Sequence, residues 1–278
     1  MKIIISEGAG FCFGVKRAIQ TAFDTAKGNP EGVYTLGPLI HNPQVVEKLS
    51  SEGVEVLESI GNGDDARVVI IRSHGVSPEV YDEMSSEGLK VVDATCPFVK
   101  KAQAYASSLH KDGYQVLIVG ERTHPEVQGL CGYAGDDVIV VGREDDVDQF
   151  PIKRKVGIIV QTTQSFSNLR SVIDAVLPKV AELKVHNTIC KATRQRQIAT
   201  TRLAAEVDLM LVVGGKNSAN TKRLRVLCEE KDVRAYHVET ADEIDPAWFD
   251  GVETVGVTAG ASTPDWIIGQ VVERLKTL

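Results

Sequence analysis

Three of the five cysteines lie in matching sequence environments, and cysteine thiolates are good ligands for soft metals and clusters. Cys12, Cys96 and Cys190 stand 84 and 94 positions apart, and each is followed by a helical pattern with basic residues near its start. Three thiolates without a fourth partner do not fit a closed four-cysteine site. They suit a 4Fe–4S cluster whose fourth iron is left for substrate, where it can act as a Lewis acid and pass electrons.

Polar loop residues follow these cysteines at a nearly constant distance. His41, His124 and Ser218 come 29, 28 and 28 positions after their cysteines. A further loop in each third of the chain is also polar, and contains His74, Thr162 with Thr163 and Ser165, or Ser262. Donor side chains repeated in this way suit a phosphate or diphosphate. Any one of them, taken alone, could simply cap a helix.

Prolines mark the starts of several predicted helices in these loops. The pattern places Pro43, Pro78, Pro125 and Pro264 in first helical turns, where the missing N–H costs nothing. The usual nucleotide motifs, a P-loop and a GxGxxG after a strand, are absent from the sequence. The loops therefore predict an anion site that is not a standard nucleotide site.

Glu126 is the carboxyl that the pattern places beside a phosphate-binding imidazole, two residues after His124. The pair could relay protons, or Glu126 could only complement the dipole at a helix start. The dipole favours the ionised carboxylate, whereas burial beside other negative charge favours the protonated acid. We expect burial to dominate when substrate is bound.

Short β-branched runs alternate with amphipathic helical patterns along the whole chain, which indicates an α/β protein with parallel sheets. The cysteine spacing divides this pattern into three similar α/β domains, at residues 13–95, 96–189 and 190–278, with strand 1–12 joining the third. Ligands of such sheets bind beyond the carboxyl ends of the strands, where the polar loops lie. A pseudo-threefold arrangement would bring these loops around one central cavity.

The composition is that of an ordinary globular protein: of 278 residues, 43% are hydrophobic and 25% are charged. A net charge of −7 argues against nucleic-acid or anionic-membrane partners, and no apolar run approaches the length of a transmembrane helix. Five cysteines without a close CxxC pair do not form a disulfide framework, so we expect a cytoplasmic protein. Cys131 and Cys228 fall within helical patterns and are predicted to be structural.

The ordered motifs together resemble the 4-hydroxy-3-methylbut-2-enyl diphosphate reductases of the non-mevalonate isoprenoid pathway. The resemblance covers essentially the whole chain, in the segments Gly8–Val15, Leu36–Asn42, Arg72–Gly75, Asp93–Pro97, Thr123–Glu126, Gln161–Thr163, Asn187–Cys190, Lys216–Asn220 and Thr258–Asp265. It implies a three-domain α/β trefoil around a central cluster ligated by Cys12, Cys96 and Cys190.

The same resemblance implies roles for the remaining site residues. Glu126 would deliver protons, with His124 beside it, and Thr162 would lie near the substrate hydroxyl. The diphosphate would be held by His41, His74, His124, Ser218, Asn220 and Ser262, with Ala219 beside them. The reaction implied is the reductive dehydration of (E)-4-hydroxy-3-methylbut-2-enyl diphosphate to isopentenyl and dimethylallyl diphosphates. Reduced ferredoxin or flavodoxin would supply the electrons.

The chain departs from that family at Ala219, where a second serine is usual, and at Lys191, where an aromatic residue is frequent. The backbone N–H of Ala219 can still bind diphosphate, so the first departure predicts weaker binding at most. Two other readings of the cysteines remain open. One is a non-redox cluster hydro-lyase, and the other is a cluster or zinc sensor without turnover.

Overall fold

The computed structural model describes residues 1–29, 32–61 and 68–278. Contacts divide the chain into two compact units. Unit 1 comprises Met1–Lys16, Ile40–Val46 and Lys191–Leu278, and unit 2 comprises Arg17–Leu39 and Glu47–Cys190. The predicted boundaries of three domains stay a prediction, and the first of those domains includes residues 30–31 and 62–67, which lie outside the described residues.

The described strands form three separate four-stranded sheets, and every strand pair is parallel. The sheet of unit 1 has the order β1-β12-β10-β11, with β1 at Lys2–Ile5, β12 at Thr254–Ala259, β10 at Leu209–Val213 and β11 at Arg234–Val238. One sheet of unit 2 has the order β3-β2-β4-β5, with β3 at Val54–Leu57, β2 at Val33–Leu36, β4 at Val68–Ile71 and β5 at Lys90–Asp93. The other has the order β7-β6-β8-β9, with β7 at Ile139–Val141, β6 at Gln115–Val119, β8 at Lys155–Val160 and β9 at Glu182–Val185. The α/β class and the parallel sheets predicted from the sequence are confirmed.

Most of these strands are followed by an α-helix, as parallel connections favour, whereas β7 and β8, and likewise β11 and β12, are connected through short 3-10 helices. The α-helices are α1 (Phe13–Gly28), α2 (Pro43–Ser51), α3 (Pro78–Ser86), α4 (Pro97–Lys111), α5 (Pro125–Cys131), α6 (Phe166–Val176), α7 (Lys191–Ala204), α8 (Ala219–Glu229) and α9 (Asp265–Lys276). Pro43, Pro78 and Pro125 are first helical residues, as predicted. The prediction for Pro264 was wrong by one position, because its extended backbone places it at the N-cap of α9, before the first turn.

Each sheet has two inner strands that are almost wholly buried. In unit 1 they are β10 and β12, whose apolar side chains pack in a cluster with α9. In unit 2 they are β2 and β4 in one sheet, and β6 and β8 in the other. Strands buried on both faces read as continuous apolar runs, which is why the sequence revealed them. Their fixed carboxyl ends hold the loops that carry the candidate site residues.

Among the described residues, none of the helices is both long enough and apolar enough to cross a bilayer.

Candidate active site

The three repeat cysteines share one local geometry. Each lies immediately before a helix, and its backbone N–H donates to the carbonyl of the second residue after an inner strand. The distances are 3.1 Å for Cys12 to Ala261, 3.0 Å for Cys96 to Ser73 and 3.0 Å for Cys190 to Thr162. All three side chains are partly exposed. The structure thus repeats the same cysteine setting three times, which the spacing alone only suggested.

The other two cysteines are placed differently. Cys228 lies in α8 and is fully buried, and burial raises the pKa of its thiol to about 12. Cys131 ends α5, and burial likewise raises its pKa. Burial thus disfavours the thiolate in both residues, and neither lies immediately before a helix as the three repeat cysteines do. Their environments fit the structural roles predicted for them.

Glu126 and Thr162 form a buried pair within unit 2. The backbone N–H of Thr162 donates to Oε1 of Glu126 at 2.6 Å, and its hydroxyl donates to Oε2 at 2.8 Å. Only 2% of Glu126 is exposed. Burial raises the pKa of this carboxyl to about 7, although the two hydrogen bonds from Thr162 oppose the rise. Such a group can hold or release a proton near neutral pH.

His124 is fixed by the chain that leads to Glu126. It is the N-cap of α5, and its Nδ1 accepts a hydrogen bond from the backbone N–H of Glu126 at 3.2 Å. An accepting Nδ1 carries no proton, so the neutral ring carries its proton on Nε2 and offers a donor there. The ring of His74 meets His124 edge to face, with centroids 5.3 Å apart. Unit 2 therefore brings two of the predicted phosphate ligands together.

The loops of unit 1 bring together a second group of predicted residues. The hydroxyl of Ser262 donates to the carbonyl of His41 at 3.1 Å. Gly215 passes so close to the same carbonyl that a Cβ at this position would lie 2.6 Å from it. The loops that follow β10 and β12 are thus packed against the His41 segment, and only glycine permits the approach.

The start of α8 contains a capping serine and a buried asparagine amide. Ser218 caps the helix by accepting from the N–H of Thr221 at 3.3 Å. Asn220 is only 3% exposed, and neither Oδ1 nor Nδ2 has a hydrogen-bond partner among the described residues. Buried amides are normally satisfied, so this one is suited to an incoming ligand. Ala219 lies between the two and is 9% exposed.

The sequence did not show which of Thr162 and Thr163 is equivalent to His74 and Ser262. His74 and Ser262 are the third residues after β4 and β12, and the third residue after β8 is Thr163. Thr162 instead matches Ser73 and Ala261, the residues that bind the cysteine backbones. The strand ends would have revealed this register, which the sequence leaves uncertain by a residue or two. Thr163 is therefore the structural equivalent of the two predicted phosphate ligands.

Each unit contains part of the predicted site. Unit 1 contains Cys12, His41, Ser218, Ala219, Asn220 and Ser262, and unit 2 contains Cys96, Cys190, His74, His124, Glu126 and Thr162. The prediction that all of them serve a single reaction stays a prediction.

Comparison with known proteins decides the family. The family model described as "LytB protein" matches residues 3–276. The chain belongs to the LytB family. A curated relative from Pelobacter propionicus is 54% identical over 275 residues, covering 99% of this chain and 98% of its own, and is named 4-hydroxy-3-methylbut-2-enyl diphosphate reductase. A relative of the same name from Geobacter sulfurreducens is 53% identical, with 99% and 97% covered.

Solved structures agree with the family assignment. One, described as (E)-4-hydroxy-3-methyl-but-2-enyl diphosphate reductase, the terminal enzyme of the non-mevalonate pathway, is 46% identical with a TM-score of 0.71, and both chains are fully covered. The Plasmodium falciparum structure of E-1-hydroxy-2-methyl-but-2-enyl-4-diphosphate reductase is 29% identical with a TM-score of 0.94, covering 99% of this chain and 88% of that one. The resemblance noted from the sequence motifs is confirmed.

Proposed function

We propose that this chain catalyses the reductive dehydration of (E)-4-hydroxy-3-methylbut-2-enyl diphosphate to isopentenyl and dimethylallyl diphosphates. The main support is the buried carboxyl of Glu126, which accepts two hydrogen bonds from Thr162. The chain also matches a relative named as this reductase over 99% of its length. Two electrons and two protons enter, and the hydroxyl leaves as water. The reaction therefore needs a proton source close to the departing oxygen.

Glu126 is the proton source in this proposal. Hydroxide is a poor leaving group, so the allylic C–O bond breaks only as the oxygen receives a proton. With a pKa near 7, Glu126 is protonated in a useful fraction of molecules at neutral pH. The hydroxyl of Thr162, which contacts Oε2, can pass that proton on and take up another from the carboxyl. Thr162 thereby positions the substrate hydroxyl and completes the relay.

The diphosphate is bound by neutral donors in this proposal. These donors are the backbone N–H of Ala219 and the side chains of His41, His74, His124, Ser218, Asn220 and Ser262. The Nε2–H of His124 and the unsatisfied amide of Asn220 support this assignment. Binding through neutral donors avoids burying uncompensated lysine or arginine charges when the site is empty.

Cys12, Cys96 and Cys190 would hold one 4Fe–4S cluster. The donor set fits: three cysteines share one backbone geometry at helix starts, whereas Cys131 and Cys228 have raised pKa values. The cluster would supply electrons and a Lewis-acidic iron, which no side chain offers. We further propose reduced ferredoxin or flavodoxin as electron donor. We also propose the cytoplasm as location, since the five cysteines form no disulfide with one another in the described residues.

The decisive experiment is a turnover assay on protein purified and reconstituted without oxygen. With a low-potential chemical reductant, the wild type should convert the hydroxylated diphosphate to the two isomeric products, consuming two electrons per molecule. Product formation without reductant would instead indicate a hydro-lyase. A chain that binds zinc, lacks acid-labile sulfide and shows no turnover would contradict the proposal and favour a sensor.

Single cysteine substitutions test the cluster assignment. Cys12→Ser, Cys96→Ser and Cys190→Ser should each lower iron and sulfide content sharply, because each thiolate would be a ligand of the cluster. The matched controls Cys131→Ser and Cys228→Ser should retain it, provided that circular dichroism shows a folded chain. Loss of the cluster in a folded control variant would overturn the ligand assignment.

A further inference from the structure

The loop that precedes Cys12 is held by an arginine from a distant part of the sequence. Within unit 1, Nε of Arg196 donates to the carbonyl of Gly8 at 2.9 Å, and Nη2 donates to the carbonyl of Gly10 at 2.7 Å. Both acceptors lie within four residues of Cys12. One planar guanidinium therefore fixes two carbonyl groups on the approach to a proposed cluster ligand.

This loop needs an external constraint. Gly8 and Gly10 have φ values of +72° and +100°, in the left-handed region that favours glycine, and glycine loses more conformational freedom on ordering than any other residue. A Cβ on Gly10 would lie 2.8 Å from Oδ1 of Asp265. Backbone N–H groups of the segment donate from Ser6 to Val257, from Ala9 to Ser6 and from Cys12 to Ala261. Ala9 also packs against the core of unit 1, and Phe11 against Trp266. None of these contacts involves the carbonyl groups of Gly8 and Gly10, which Arg196 binds.

Arg196 is itself rigidly placed. It is only 3% exposed and lies on α7, six residues after Cys190. The helix is anchored to the sheet of unit 1 through the hydrogen-bonded hydroxyls of Thr200 and Thr258, 2.7 Å apart. Helix α7, which starts after Cys190, thus holds the backbone that precedes Cys12.

A second arginine makes a related contact in unit 2, with one hydrogen bond in place of two. Arg17, on α1 five residues after Cys12, donates from Nη1 to the carbonyl of Thr95 at 3.0 Å. Thr95 is the residue immediately before Cys96. A helix that follows one cysteine therefore again contacts the loop that carries the next. The recurrence makes a chance packing contact a poor explanation for Arg196.

We propose that Arg196 is a positioning residue that presets the Cys12 loop for cluster insertion, and that Arg17 acts in the same way on the Cys96 loop. The part of this proposal that concerns the cluster rests on the proposed function. The ordering of the Cys12 loop by Arg196 does not depend on it. Ligands held in place before the cluster arrives lose less conformational entropy on binding it. Lysine could keep the charge of Arg196 but could not bond both carbonyls in the same plane.

Hydrogen exchange of the cluster-free protein tests the ordering directly. In Arg196→Gln we expect the amides of residues 6–12 to exchange about tenfold faster, because two charge-assisted bonds are lost. Amides of β10 and β12 should exchange as in the wild type. Arg202→Gln removes an exposed arginine from the same helix and should change neither segment. Arg196→Lys should fall between the wild type and Arg196→Gln, and it replaces Arg196→Gln in the comparison if that variant does not fold.

Cluster reconstitution supplies the second readout. Arg196→Gln should retain several-fold less iron and sulfide than the wild type and Arg202→Gln, at equal circular dichroism. Unchanged exchange in residues 6–12 would overturn the proposal. Equal acceleration in β12 would also overturn it, because the arginine would then stabilise unit 1 as a whole. If the loop loosened as expected but even the wild type held no cluster, the proposed function would fail while the ordering role stood.

Discussion

The raised pKa of Glu126 makes the stability of the folded chain depend on pH in a direction that can be measured without any cluster. Burial lifts this pKa from 4.5 to about 7. The folded protein therefore binds more protons than the unfolded chain between these two pH values. The cost of ionising the buried carboxyl is absent below pH 4.5, grows with rising pH, and is complete above pH 7.

The magnitude follows from the two pKa values. The rise from 4.5 to about 7 corresponds to roughly 3 kcal/mol once Glu126 is fully ionised in both states. Between pH 5 and pH 8, the carboxyl should lower the free energy of unfolding by roughly 2–3 kcal/mol. Glu126→Gln keeps the size and the hydrogen-bonding capacity of the side chain but has no charge to bury. The variant should therefore gain about that much stability relative to the wild type over this range.

Urea denaturation of the cluster-free protein at pH 5, 6, 7 and 8 would measure the difference, without oxygen and with thiols reduced. Glu79→Gln is the matched control, since Ser77-Pro78-Glu79 starts α3 as His124-Pro125-Glu126 starts α5. Glu79 is exposed, and a hydrogen bond from Ser77 lowers its pKa. Its contribution should therefore be small and opposite in sign. A pH-independent difference for Glu126→Gln would refute the assignment of a buried, neutral-pH acid.

The same substitution should lower kcat by about 10²–10⁴-fold in anaerobic single-turnover assays, with cluster content unchanged, because the amide cannot supply a proton; near-normal turnover would move the proton source elsewhere. Thr162→Val removes the hydroxyl that favours ionised Glu126 and completes the proposed relay, so turnover should fall and the pKa of Glu126, followed by infrared titration of its carboxyl, should rise; a fall in that pKa would contradict the pairing. Ala219→Ser adds a hydroxyl beside Asn220 and should tighten diphosphate binding, by at most about 1.5–3 kcal/mol in calorimetry; weaker binding would show a different loop arrangement. Gly10→Ala should destabilise the fold by about 1–3 kcal/mol more than an alanine at position 8, where nothing lies within 4 Å, and equal thermal shifts would contradict the contact with Asp265.

Local pattern was sufficient for much of the fold. The inner strands were visible because strands buried on both faces need unbroken apolar runs, as in Leu209–Val213. Three of the four helix starts marked by proline were also correct. Pro264 differed because a fixed φ suits the N-cap as well as the first turn, and only the backbone distinguishes the two.

The candidate site was predicted as a set of residue types rather than as a geometry. Repeat spacing identified Cys12, Cys96 and Cys190, and the motifs carried the family resemblance that the comparisons confirmed. The spacing did not show that all three cysteine backbones donate to the second residue beyond an inner strand. Nor could it separate Thr162 from Thr163, since a strand end uncertain by one residue exchanges their positions.

The sequence by itself determined the α/β pattern, the cysteine repeat and the family, because these depend on residue type and on separation along the chain. Only the tertiary structure decided the pKa of the Glu126 carboxyl, since that pKa depends on burial and on Thr162, 36 positions away. It also decided the contacts of Arg196, whose partners Gly8 and Gly10 lie more than 180 positions earlier. Desolvation and hydrogen bonding act over a few ångströms in space, and distances along the chain do not encode them.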